Sequence, residues 1–214
     1  MRSVRRRRRI DIKITRLYDF GTPPNGWVLS LIDSVWGHRL SQMKLRHYNH
    51  DGRARFVTFC THLRIPLLTN RVFCEAVQSN LLSICAETGV DVLAYVLMPD
   101  HVHTVLVPPV GVKVGSLIGE IKRRSAKEIA DHLRSGKSGL FKKLTVKRDG
   151  ASRVAIWQRR CFDRNCRDED EVWKTVEYCH SNPVSRGLVK EPGRWEWSSY
   201  SWYHEALVKQ RVVE

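Results

Sequence analysis

Two apolar runs, Leu93 to Met98 and Val105 to Val107, flank Pro99-Asp100 and predict a hairpin of two buried strands turning at that dipeptide. A polar pair interrupts it. His101 and His103 stand two apart, so in a strand they project from one face while Val102 projects from the other. Imidazoles that close to a core need a reason. Either they are strand histidines satisfied by hydrogen bonds, or they grip one divalent cation together.

The flanking sequence sets this hairpin in a larger frame. Phe56 to His62 reads as a strand that Pro66 stops. Thr69 or Asn70 can cap a helix running to about Thr88, which Gly89 ends. Ser116 to about Leu133 reads as a second amphipathic helix with Leu117, Ile118, Ile121 and Ile129 inward. Residues 134 to 153 are rich in Gly, Ser and Lys and read as a loop. A short strand near Val154 to Gln158 would then complete the order β-α-β-β-α-β. That order predicts an α+β fold, a ferredoxin-like sandwich whose antiparallel sheet carries its helices on one face.

Residues 1 to 43 differ from the rest. They hold six of the chain's positive charges in the first nine residues (Arg2 and Arg5 to Arg9). This basic extension is a DNA-binding arm, a solvated tail, or a segment preceding a true start at Met43. The organisation expected is therefore an extension over 1–43, a folded domain over 44–203 and a tail over 204–214. The formal net charge is +15, and subtracting the Arg run leaves about +9 on the remainder, which makes a polyanion the natural partner. Six cysteines without a C-x-x-C pair, and no apolar stretch behind the charged start, point to reduced thiols in a cytoplasmic protein. No run approaches the roughly 20 apolar residues of a membrane span.

A second constellation lies in the last third. Asp168 or Asp170 can start a helix containing Val172, Val176, Tyr178 and Cys179. It should run out at Asn182, because Pro183 disfavours helical geometry in the residue before it. Tyr178 and Asn182 are four apart and share a helix face. Either they offer a phenol and an amide oxygen in one direction, or the ring packs in the core and Asn182 caps the helix.

Three blocks in this order resemble a known family. They are Tyr95-Val-Leu-Met-Pro-Asp-His101-Val102-His103, Trp157-Gln158-Arg-Arg-Cys-Phe162-Asp163-Arg164, and Tyr178-Cys-His-Ser-Asn182-Pro183-Val184 with the later Trp195-Glu-Trp197-Ser198-Ser199-Tyr200. The chain is similar to the tyrosine transposases of the HUH superfamily, in particular the REP-associated tyrosine transposases, over about residues 44 to 203. The resemblance implies a metal-dependent single-stranded DNA endonuclease and strand transferase acting at hairpin repeats. Tyr178 matches its nucleophile, and His101, His103 and Asn182 match its metal ligands, for Mg²⁺ or Mn²⁺. It also implies a 5′-phosphotyrosine intermediate and a free 3′-hydroxyl.

Arg123, Arg124, Lys127, Lys142, Lys143 and Arg159 are the candidates for holding DNA phosphates, although the basic helix face among them reads equally as a solvated surface. The expected partner is single-stranded or hairpin DNA, with no membrane, and the protein acts as a monomer or a homodimer. A different reading keeps the fold and loses the reaction, leaving a hairpin DNA- or RNA-binding protein. The aromatics that ferredoxin-like sheets use to stack RNA bases are replaced here by His101 and His103.

Overall fold

The computed structural model describes residues 52–148 and 150–203. The basic extension over 1–43 and the tail over 204–214 lie outside the described residues.

The sheet is built from β1 (Arg55–Cys60), β2 (Asp91–Met98), β3 (His101–Val107) and β6 (Phe162–Asn165), in the order β2-β3-β1-β6 and antiparallel throughout. β2 and β3 form the expected hairpin about Pro99-Asp100. Two helices connect the strands, α1 (Arg71–Thr88) and α2 (Val114–Ser135). The Asn70 side chain caps α1 by accepting from the Val72 and Phe73 amides, and Gly89 closes it at φ 67°, a left-handed conformation suited to glycine.

Strand alternation divides the interior in two. Val57, Phe59, Val102 and Leu106 pack with Val77, Leu81, Ile118 and Ile121 of α1 and α2. Phe56, Val96, Met98, Val105 and Phe162 face the other way and pack with Val176 and Cys179 of α4 (Glu169–Ser185). The α+β architecture, with the two connecting helices on one face, is the one read from the sequence. α4 covers the second face.

Three local expectations need correction. The fourth strand of the sheet is Phe162–Asn165, and Val154 belongs instead to a separate two-stranded ribbon, β4 (Thr145–Arg148) with β5 (Ala151–Val154). The Phe-Asp-Arg-Asn strand, at the edge of the sheet, looks too polar to be buried. It is tolerated because Asp163 pairs with Arg55 of β1 at 2.5 Å, both side chains being 1% exposed. The stretch 134–153 is not a plain loop either. It ends α2, then forms α3 (Gly139–Leu144), capped by the Ser138 hydroxyl, and the ribbon.

Finally, α4 does not stop at Asn182. It continues through Pro183 to Ser185, because the proline removes one amide while the Arg186 and Leu188 amides still reach the Asn182 and Pro183 carbonyls.

The edge of β2 is covered by the segment after α4. The Leu97 amide donates to the Trp197 carbonyl at 2.8 Å, the Ser199 amide donates to the Tyr95 carbonyl at 3.0 Å, and the Trp195 indole donates to the Leu97 carbonyl. His180 of α4 joins this clasp through Nε2, 2.9 Å from the Ser199 hydroxyl.

Candidate functional site

β3 lies between β2 and β1, so the two histidines sit in the middle of the sheet, on the face that α4 covers. Both are buried, His101 at 4% and His103 at 6% exposure. Their Nε2 atoms stand 3.0 Å apart. Each Nδ1 is held from behind. His101 Nδ1 is 2.6 Å from the Asp100 carboxylate, to which it donates, and His103 Nδ1 is 2.7 Å from the Thr58 hydroxyl oxygen. With its Nδ1 proton on Asp100, His101 presents a lone pair at Nε2. Such outer partners fix the tautomer and orientation of metal-binding imidazoles.

Burial, followed by the charges of His101, Arg64 and Arg186, pushes His103 well below its ordinary pKa and keeps it neutral. Burial works against ionisation of Asp100. The hydrogen bond and charge of His101, with the charge of Arg64, outweigh it and hold the carboxyl below its usual value. Arg64 reaches Asp100 at 3.0 Å from a turn in which Leu63 and Arg64 both adopt positive φ.

α4 brings the rest. The half-buried Tyr178 ring lies 5.3 Å from the His103 ring and 5.8 Å from that of Phe56, which itself stacks on His103 at 5.4 Å. One turn along the same helix face, Asn182 is 2% exposed and its Oδ1 has no hydrogen-bond partner among the described residues. A buried amide oxygen without a partner is costly. Asn182 does not cap the helix, which runs on to Ser185, while the Tyr178 ring packs against the second core cluster.

The donor set suits a divalent cation. Two nitrogens bound at right angles to one ion at about 2.1 Å stand about 3.0 Å apart, which is the spacing of this pair, and the Asn182 oxygen supplies a hard third donor. Among the described residues no three His, Cys, Asp or Glu side chains gather as a metal centre. A third protein donor beside this pair would be the Asn182 amide oxygen. The two imidazoles would suit Zn²⁺ or Ni²⁺ as well as Mn²⁺, so this donor set does not select the metal.

The basic candidates separate into two groups. Arg123 pairs with Glu120, Arg124 with Glu120 and Glu87, and Lys127 with Asp131, all in the layer behind the sheet from His101 and His103. Lys142, Lys143 and Arg159 are exposed and belong to α3 and to the loop before β6. The neighbouring Lys122 donates to the Gln158 carbonyl at 2.9 Å and ties that loop to α2.

Thr58, Asp100, Arg64 and Phe56 were not singled out from the sequence. The Thr58 signal was present in the alternation of β1, which puts Phe56 and Thr58 on one face, but its meaning depends on the pairing of Thr58 with His103.

Residues 52–181 match the family model described as "Transposase IS200 like". An Escherichia coli REP-associated tyrosine transposase is 23% identical over 155 residues, covering 72% of this chain and 80% of that protein. A Haemophilus influenzae protein provisionally named a REP-associated tyrosine transposase is also 23% identical, over 121 residues. The match spans 54% of this chain and 62% of that relative's length.

Among solved structures, a REP-associated tyrosine transposase bound to a REP hairpin superposes with a TM-score of 0.56. It is 22% identical and covers 75% of this chain and 84% of that one, a likeness of fold. No described helix is long and apolar enough to cross a membrane. With the family model spanning more than half of its length, the chain belongs to the IS200-like transposases.

Proposed function

We propose that the protein cleaves and rejoins single-stranded DNA beside hairpin repeats, with Tyr178 as the nucleophile and His101, His103 and Asn182 as ligands of Mg²⁺ or Mn²⁺. The observation that carries this reading is the approach of the Tyr178 ring to the His103 ring. That approach joins residues 75 positions apart, on a helix and a central strand.

A phenol has a pKa of about 10 and is a weak nucleophile at neutral pH. Its reaction therefore needs a polarised phosphorus and a fixed approach. The divalent ion, when bound, neutralises charge on the scissile phosphate and makes phosphorus more electrophilic. Tyr178 supplies the attacking oxygen and gives up its proton. The bond between phosphorus and the 3′-oxygen breaks, and the 3′-oxygen leaves protonated. The products are a 5′-phosphotyrosine and a 3′-hydroxyl. Attack by a 3′-hydroxyl on the phosphotyrosine reverses the step and rejoins strands without ATP. Arg64 and Arg186 lend positive potential beside His103, which favours phosphate approach.

The test uses hairpin-bearing single-stranded DNA labelled at its 3′ end, incubated with protein and Mn²⁺ or Mg²⁺. A denaturing gel should show the label carried on the protein, dependent on the metal and absent from Tyr178→Phe. An adduct persisting in Tyr178→Phe overturns the nucleophile. Hairpin binding with no adduct on any substrate replaces this reading with that of a binding protein.

A further inference from the structure

The cations of this protein are spent unequally. Those of α2 are largely neutralised by Glu87, Glu120 and Asp131. Those of the arm formed by α3, β4 and β5 are not. Lys137, Lys142, Lys143, Lys147 and Arg153 are all exposed, and none makes a side-chain hydrogen bond or ion pair among the described residues.

The arm's root is fixed. Leu144 is fully buried in the main core, Ile156 lies beside it at 1% exposure, and the Ala155 amide donates to the Leu144 carbonyl at 2.8 Å. Among the described residues the ribbon beyond the root pairs only with itself. Its register sets Lys147 opposite Ser152 and Val146 opposite Arg153, so cations emerge from both of its faces.

A two-stranded ribbon with no apolar face gains little by packing and is marginal in isolation. Held on a buried root and loaded with unpaired charge on both sides, it is built to lie between two walls of negative charge. The major groove of B-form DNA is about 12 Å wide and admits a two-stranded β-ribbon, whereas the corresponding groove of A-form RNA is too narrow. We infer that the β4–β5 ribbon and α3 form a docking arm for the duplex stem of hairpin DNA, entering its major groove and gripping phosphates on both strands. This rests on the proposed hairpin substrate and names the part of the protein that holds the stem, away from the residues that cut.

The test compares the full-length protein with a Lys142→Gln, Lys143→Gln, Lys147→Gln, Arg153→Gln variant. All four side chains are exposed, so the fold should survive, and circular dichroism checks that it does. Affinity is measured against salt for three probes: a DNA hairpin, an unpaired DNA strand of equal length and an RNA hairpin with the same stem.

For the DNA hairpin the variant should bind at least about tenfold more weakly near 0.15 M salt. Its slope of log K against log salt should fall by about 3 to 4, close to one per lost phosphate contact. Binding to the unpaired strand should change little, and the wild-type protein should prefer the DNA to the RNA hairpin.

Unchanged hairpin affinity, an equal loss on the unpaired strand, or no preference for DNA over RNA would each overturn the assignment. Because binding is read without cleavage, failure here is separate from failure of the Tyr178 adduct.

Discussion

Thr58 and His103 face each other in register across β1 and β3, and the threonine hydroxyl oxygen lies 2.7 Å from the imidazole Nδ1. The hydroxyl is the only polar group that β1 sends to this face between Phe56 and Cys60. It fixes which nitrogen of His103 is turned toward His101. Loss of such an outer partner typically costs about 10- to 100-fold in metal affinity.

Thr58→Val should therefore weaken Mn²⁺ binding by that factor, while Thr58→Ser retains it. Calorimetric titration of the DNA-free protein measures it directly. Equal affinity in Thr58→Val would show that packing alone orients the ring.

The Arg55–Asp163 pair predicts a stability effect far from the chemistry. Both side chains are almost fully enclosed, and removing one partner of a buried pair leaves an uncompensated charge. Asp163→Ala should lower unfolding free energy by about 3–5 kcal/mol, whereas an apolar double replacement such as Arg55→Met with Asp163→Leu should recover much of that loss. Urea denaturation distinguishes the two; a single variant as stable as the parent would sink the idea.

Acid should destabilise the apo protein through its buried histidines. Burial lowers His180 to about 4 from the ordinary 6.5, and His103 moves the same way. Between these values the unfolded chain binds more protons than the folded one. The stability is thus fully present above about pH 6.5 and is lost as pH falls toward 4, by on the order of 3 kcal/mol for His180. Unfolding measured from pH 7 to 4 should show this slope, and His180→Gln should flatten part of it. A flat profile in the parent would exclude neutral burial of these rings.

Truncation tests the boundary of the folded unit. Both described core clusters are made from residues at or after Ala54, so a chain lacking residues 1–42 should keep its helical signal and its cooperative melt. Collapse of that protein would show that the extension is integral.

The sequence disclosed what depends on local periodicity. The histidine pair followed from alternation along one strand, and the start of α1 from an asparagine ahead of an apolar helical stripe. What it concealed depends on partners distant in the chain. Phe162–Asn165 reads as polar because the partner that lets Asp163 be buried, Arg55, lies more than a hundred residues earlier. The ribbon was hidden for the opposite reason, since it has no apolar face to betray it. Pro183 misled because its restriction on Asn182 is weaker than the packing of α4 against the sheet.

The clasp over β2 has a consequence for how the molecule behaves in company. An unpaired strand edge is a template on which another chain can continue a sheet. Here one edge is already occupied by Trp195 to Ser199. The opposite edge strand, β6, is four residues long and carries Asp163 and Arg164. Neither edge offers a neighbouring copy a long, flat run of free backbone. A chain of such high positive charge is in this way guarded against growing into fibres through its own sheet.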